Sequence, residues 1–313
     1  MQDLQADPTA LSVRRVSLSQ WQAAQAAGEH WLGGISYGAA IPGEPQLAAV
    51  ATRVLAAQPA AIDGWHGRGK VESGRCGTAS WWRDEQWLFG RIDLDEASEG
   101  MGLAELSHRA YTDLFATLAA TGQPHLLRIW NYVPRINADG GGLERYRQFN
   151  AGRQQAFLEA RRPVLEGSPA ACALGTPAGP LCVRFLAGRA AARPVENPRQ
   201  VSAYRYPKDY GPRPPTFSRA ALAPLGDDRT ALLISGTASI VGHDTQHRGD
   251  VIAQTQETLR NLQSVVEAAH RHGSARYRLA ELDCVVYIRH PHDLPAVRKV
   301  LEDAWGSDSH ALR

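Results

Sequence analysis

Residues 231–239, ALLISGTAS, open a compact pattern that runs to the last helix of the chain. The apolar strand ends at Ser235-Gly236-Thr237-Ala238-Ser239. A long helix follows from Asp250 to Arg271, DVIAQTQETLRNLQSVVEAAHR. In it Ile252, Thr255, Leu259, Leu262, Val266 and Ala269 step by three or four residues and form one helix face. Gly273 stops that helix. A second strand is expected at Cys284–Arg289 and a last helix at Leu294–Trp305, with Asp293 as its cap and Pro295 in its first turn.

Working outward, the first half repeats the order. Residues 1–30 read as an irregular lead-in, and Gly33-Gly34, Gly38 and Pro42-Gly43 punctuate the next stretch. Gln86–Leu94 is the first clear strand. Leu103–Ala120 has helical spacing of apolar residues, Leu126–Tyr132 reads as a strand, and Leu143–Arg161 as a second helix. Leu181–Leu186 closes that copy. The class is therefore α+β, with β-α-β-α in each half. Domains are expected at 1–190 and 191–313, with Arg193–Pro215 too rich in aromatic residues for a plain linker.

Composition narrows the function. The 313 residues carry 34 Lys and Arg against 32 Asp and Glu, a net charge of +2, which argues against nucleic acid or an anionic membrane as partner. No apolar run approaches the ~20 residues of a transmembrane helix. The N-terminus lacks the order of a signal peptide, and the four cysteines form no C-x-x-C pair, so a cytoplasmic location is expected. His243 and His247 are four apart, but no third ligand stands near them in the sequence, and no metal is expected. Trp81, Trp82 and Trp87 read as packing around an early strand.

The last quarter resembles the YjgF/RidA-like superfamily, through Ser235–Ser239, the Gln254–Asn261 helix face and YIRHPHDLPAV. Four further stretches are similar to the chorismatase family: LRIWNYVPRIN (127–137), YRQFNAGRQQAF (146–157), SAYRYPKDYGPRPPTFSRA (202–220) and SGTASIVGHDT (235–245). The resemblance implies two YjgF/RidA-like units, no cofactor, a homotrimer or a monomer, and chorismate as substrate. Pyruvate would leave, giving a hydroxybenzoate or a dihydroxycyclohexadiene carboxylate. It also implies a closing strand after the last helix, bearing a proton-donating glutamate. No counterpart is read before Arg313, so these residues alone are expected to turn over little substrate. Glu257 and Glu281 are present but do not match that position.

Chorismate carries two carboxylates, and arginine grips a carboxylate through paired hydrogen bonds. Arg153, three residues after Asn150, is one expected cation. Tyr204, Tyr206 and Tyr210 lie in a Pro-flanked loop with Arg213. Tyr204 and Tyr206 would face opposite ways if extended, while Tyr210 and Arg213 follow a turn. Gly236 and Thr237 allow a ligand close to the backbone, and amides there suit an oxyanion. Ala238 would act as a wall. The substrate-binding set is thus Arg153, Tyr204, Tyr210, Arg213, Gly236, Thr237 and Ala238. An imine hydrolase of the RidA kind is the alternative activity.

Overall fold

Apart from residues 1–10, 57–60, 68, 165–166, 208–212, 227, 274 and 307–313, a computed structural model describes the whole chain. Strands β1 (Ser12–Val16), β2 (Trp31–Tyr37), β3 (Leu47–Val50) and β4 (Ile62–His66) form a first sheet in the order β1-β4-β2-β3. Helix α1 (Leu18–Ala26) sits between β1 and β2. Residues 12–26 are thus regular, not an irregular lead-in. The cause is a capping box, in which the Ser17 hydroxyl accepts from the Gln20 amide while the Gln20 side chain accepts from the Ser17 amide.

Gly33 and Gly34 also differ from expectation, because they lie inside β2 and do not interrupt it. A Cβ on Gly33 would fall 2.2 Å from the Phe89 ring, and one on Gly34 2.9 Å from Ile62. These glycines serve close packing, while Gly38, with φ of +108°, makes the turn after the strand.

The second sheet contains β5 (Glu72–Cys76), β6 (Ala79–Arg83), β7 (Trp87–Leu94), β8 (His125–Pro134), β9 (Ala170–Thr176) and β10 (Leu181–Gly188). Its order is β5-β6-β7-β10-β8-β9, antiparallel except for the parallel pair β8–β9. After a single turn, α2 (Glu96–Glu99), come α3 (Leu103–Thr121) and α4 (Arg145–Glu159). Leu106, Leu114, Phe149 and Phe157 bury against Ile129 and Phe185 of this sheet. On its other face Trp82, Trp87, Phe89 and Tyr132 pack with Leu32, Ile35 and Trp65 of the first sheet.

A third sheet joins β11 (Arg193–Val195), β12 (Ala220–Gly226) and β13 (Arg229–Ile234). A small hairpin, β14 (Ile240–Val241) with β15 (Asp244–Thr245), precedes α5 (Val251–His270). Val265, Ala268 and Ala269 of α5 cover Val195, Ala220 and Leu222. Asp250 caps α5 through the Ala253 amide. Helix α6 (Leu294–Trp305) lies beside α5. The Asp293 side chain makes no capping bond, because a 3-10 turn, Pro291–Asp293, feeds the helix in helical geometry.

The strand expected at Cys284–Arg289 is not formed. Residues 282–288 have no ladder partner among the described residues. Val285, Val286 and Tyr287 are 40%, 45% and 40% exposed, so neither face of the segment is buried. A high β-propensity needs a neighbouring strand to be realised. Side chains tether this segment to the N-terminal sheets instead. Arg15 donates to the Cys284 carbonyl at 3.5 Å, the Tyr287 and Tyr132 hydroxyls meet at 3.0 Å, and Arg289 donates to Asn137 at 2.7 Å.

Two serines join the second and third sheets. The Ser235 hydroxyl accepts from the Ala171 amide of β9 at 2.9 Å and donates to the Ser218 carbonyl at 2.5 Å. Ser218 donates from its amide to Pro169 and from its hydroxyl to Ser168. The Gly236 amide donates to the Ala171 carbonyl at 3.1 Å. The first residues of the β9 edge are thereby covered by the segments just before β12 and just after β13.

Helices α3 and α4 touch at Gly152, where a Cβ would lie 1.8 Å from the Ala104 carbonyl oxygen. On an exposed helix, glycine to alanine stabilises by roughly 1 kcal/mol. Here the sign should reverse. Gly152→Ala is expected to lower unfolding free energy by about 1–3 kcal/mol, as overpacking does, measured by urea denaturation. A gain in stability would show that the helices are not in contact there.

Candidate active site

Arg153 projects from α4 into the protein and is 3% exposed. Its guanidinium lies 5.1 Å from the Tyr111 ring centre and 5.3 Å from that of Phe157. Among the described residues its Nε and Nη2 have no hydrogen-bond partner. A buried cation with idle donors is costly unless a ligand takes them. Tyr111 donates to Asn131 at 2.7 Å, and Asn131 donates to the Cys172 carbonyl at 2.8 Å, so the aromatic support is itself anchored to β8 and β9. Burial pushes the Tyr111 phenol up to about 12, against the pull of Arg153.

A second arginine approaches from the other half. Arg219, just before β12, is 6% exposed and lies 5.6 Å from the Tyr206 ring centre and 5.3 Å from that of Phe217. Its Nη2 donates to the Val201 carbonyl at 2.6 Å and to the Tyr206 hydroxyl at 2.9 Å, while its Nε has no partner among the described residues. Tyr146 of α4 links the two cations. Burial raises its pKa, while an Asn150 hydrogen bond and the charges of Arg153 and Arg219 pull it down. The Asn150 Oδ1 and Thr216 Oγ1 atoms are also buried without partners. Glu196 takes hydrogen bonds from Ser202 and the Arg219 amide, and burial raises its pKa. The buried polar groups of α4 and of the residues leading into β12 thus include one guanidinium from each half, Arg153 and Arg219, and Tyr146 feels both charges.

The loop after β13 meets Arg219 through Ser235, whose amide donates to the Arg219 carbonyl at 2.9 Å. The Gly236 amide is spent on Ala171, so it is not available to an oxyanion. Among the described residues the amides of Thr237 and Ala238 have no acceptor. The Thr237 hydroxyl donates to the Ser235 carbonyl at 2.9 Å. A Cβ on Gly236 would come to 3.0 Å from Cys172, the contact that holds the loop close to β9.

Of the other expected site residues, Tyr204 is 9% exposed and sits in a 3-10 turn, Ala203–Arg205, which replaces the extended alternation expected for Tyr204 and Tyr206. Its ring lies 5.7 Å from the Arg205 guanidinium. Tyr210 lies outside the described residues. Arg213 is exposed. His247 faces Glu257 at 3.7 Å, and the His243 ring packs near Tyr206. Glu257 is buried on α5 among Arg199, Arg260 and His247. Desolvation opposes its ionisation, but the Arg260 hydrogen bond and the Arg199 and Arg260 charges outweigh it and hold the carboxyl below its ordinary range. Glu281 is exposed and held low by Arg278. Both carboxyls are tuned against proton donation.

Residues 63–187 match the family model described as chorismatase FkbO/Hyg5-like, N-terminal. A chorismatase from Streptomyces rapamycinicus is 42% identical over 245 residues, covering 76% of this chain and 72% of the relative. This chain belongs to the chorismatase family. A 3-hydroxybenzoate synthase from Streptomyces hygroscopicus is 38% identical, covering 66% of this chain and 63% of its own length. A crystal structure of a chorismatase matches with a TM-score of 0.83 and 34% identity, over 96% of this chain and 92% of the other. The chain is thus an enzyme of the chorismatase type, α+β in fold, and no described helix is long and apolar enough to cross a membrane. The buried groups near Arg153 that sequence reasoning did not single out are Arg219 and Tyr146, with Tyr206 as the partner of Arg219. Arg219 stood inside the quoted 202–220 stretch, but nothing in its spacing distinguished it from Arg213.

Glu257 gives a pH test. A depressed carboxyl stabilises the fold above its unfolded value of about 4.3 and loses that contribution as pH falls through the folded value. Glu257→Gln should therefore be less stable than the parent at pH 7, with the gap closing on acidification below pH ~4. Denaturation curves against pH would check it, and a gap that widened in acid would contradict the ion-pair account.

Proposed function

We propose that this chorismatase binds chorismate between α4 and the third sheet, with Arg153 on one carboxylate and Arg219 on the other. The observation that carries the reading is the pair of buried guanidiniums with unspent N–H groups. A dicarboxylate would satisfy both, and a charge-assisted pair in a water-poor site is worth more than one in solvent. Tyr146 and Tyr206 flank the ring, Gly236 lets the loop sit close to β9 beside the ligand, and Ala238 forms a wall. Tyr204, buried in its 3-10 turn, and the exposed Arg213 complete the proposed set, to which the reading adds Tyr210.

The reaction is loss of the enolpyruvyl group. An acid protonates the terminal vinyl carbon, and the ether carbon becomes an oxocarbenium ion. Water adds to that carbon, and the resulting hemiketal collapses to pyruvate and the ring alcohol, a dihydroxycyclohexadiene carboxylate. Attack by the neighbouring ring hydroxyl leads instead toward a hydroxybenzoate. The two arginines hold the carboxylates while charge moves between them, and the chemistry calls for no cofactor. We also read residues 1–190 and 191–313 as the two units, each YjgF/RidA-like. The change of sheet between β10 and β11 supports that boundary.

Chorismate should be consumed with stoichiometric pyruvate, followed by coupled lactate dehydrogenase, and a chelator should leave the rate unchanged. Arg153→Ala and Arg219→Ala should each raise KM roughly ten- to a hundredfold, the loss of a hydrogen bond to a charged group worth about 1.5–3 kcal/mol. An unchanged KM in both variants would move the substrate to another part of the molecule.

A further inference from the structure

We propose that Asn261 is a positioning residue, clamping the 236–240 loop so that the Thr237 and Ala238 amides form a fixed anion-binding wall. The inference rests on the reading of this loop as part of the chorismate site. Asn261 lies in the middle of α5 and is fully buried, at 0% exposed. Its Nδ2 donates to two loop carbonyls at once, Ala238 at 2.9 Å and Ile240 at 2.8 Å. A second amide grips the same carbonyl, since Gln200 donates from its Nε2 to Ile240 at 3.0 Å. Asn197 then ties both grips together. It donates to the Asn261 carbonyl at 3.1 Å, and its Oδ1 accepts from the Arg199 amide. Backbone bonds from Val201 to Gly242 and from Gly242 to Arg199 complete the frame.

The other end of the loop is fixed independently. Gly236 is held to β9 through Ala171, and Ser235 through its hydroxyl. Thr237, Ala238 and Ser239 lie between Gly236 and Ile240, and among the described residues their amides have no acceptor. A segment pinned at both ends presents those N–H groups in one orientation, ready for a substrate carboxylate whose placement orients the vinyl ether for protonation.

A further detail separates this role from simple helix packing. The Asn261 Oδ1 is buried without a partner, because both neighbouring carbonyls demand the amide nitrogen. An unsatisfied buried acceptor costs folding free energy that a leucine of similar volume would avoid. Asparagine here is a worse choice for the core and a better one for the loop.

The test uses the whole enzyme with chorismate as probe. Asn261→Leu should lower kcat for pyruvate release by about 10- to 100-fold, in line with loss of preorganised amide donors, while KM changes far less. The ratio of dihydroxycyclohexadiene carboxylate to hydroxybenzoate should also shift, because the wall that orders water has moved. Arg153→Ala serves as the contrast, raising KM first. A folded Asn261→Leu variant with parental kcat and product ratio would overturn the clamp while leaving the substrate reading intact. Parent enzyme that releases no pyruvate from chorismate would overturn both. Should Asn261→Leu fail to fold, Gln200→Leu removes the outer amide alone. It should lower kcat and shift the product ratio in the same direction, and parental values there would overturn the proposal.

Discussion

The architecture depends on one set of hydrogen bonds, those of Ser218 and Ser235 at the edge of β9. A sheet edge exposes unpaired backbone groups that must be satisfied or covered. Here Ser235 uses one hydroxyl twice, accepting from the Ala171 amide and donating to the Ser218 carbonyl. That seam docks the third sheet onto the edge of the second, at β9. It also fixes Arg219, whose carbonyl accepts from the Ser235 amide, one residue from the junction.

Electrostatic cost is what marks the two arginines as candidates for a ligand. Burying two guanidiniums in a low-dielectric interior is unfavourable unless their charge is offset. Here only Arg219 has a carboxylate, Glu196, shown to feel its charge among the described residues. The fold offsets part of that cost with aromatic faces: Tyr111 and Phe157 around Arg153, Tyr206 and Phe217 around Arg219. The structural ion pairs look different. Arg184, also buried, meets Asp93 at 2.6 Å and donates to the Ile92 and Ala49 carbonyls. Glu257 is enclosed by its own cations. Arg184 also keeps its Nε without a partner, so what separates Arg153 and Arg219 is that neither has an ion-pair partner among the described residues.

The sequence made the helices and the central strands legible, because α3, α5 and α6 keep one apolar face in phase with the helical period. Helix α1 escaped, since only Trp21 and Ala24 of its nine residues are buried and its signal lay in the Ser17–Gln20 box. Strand β2 escaped because its glycines read as breaks, when they are the places where Phe89 and Ile62 press closest. Residues 284–289 show the converse: strong β-branched and aromatic character with no strand to pair against. In the site, Arg153 was legible from its motif. Arg219 was not, because its role arises from Ser235 and Tyr206, which the chain brings to it only in three dimensions.

The central claim is that one carboxylate of the substrate meets each half of the protein. A crystal structure with a non-hydrolysable chorismate analogue tests it most directly. The account predicts one carboxylate within hydrogen-bond distance of Arg153 Nε or Nη2, and the other on Arg219 Nε. An analogue bound with both carboxylates away from these atoms, the two guanidiniums still unpartnered, would contradict it.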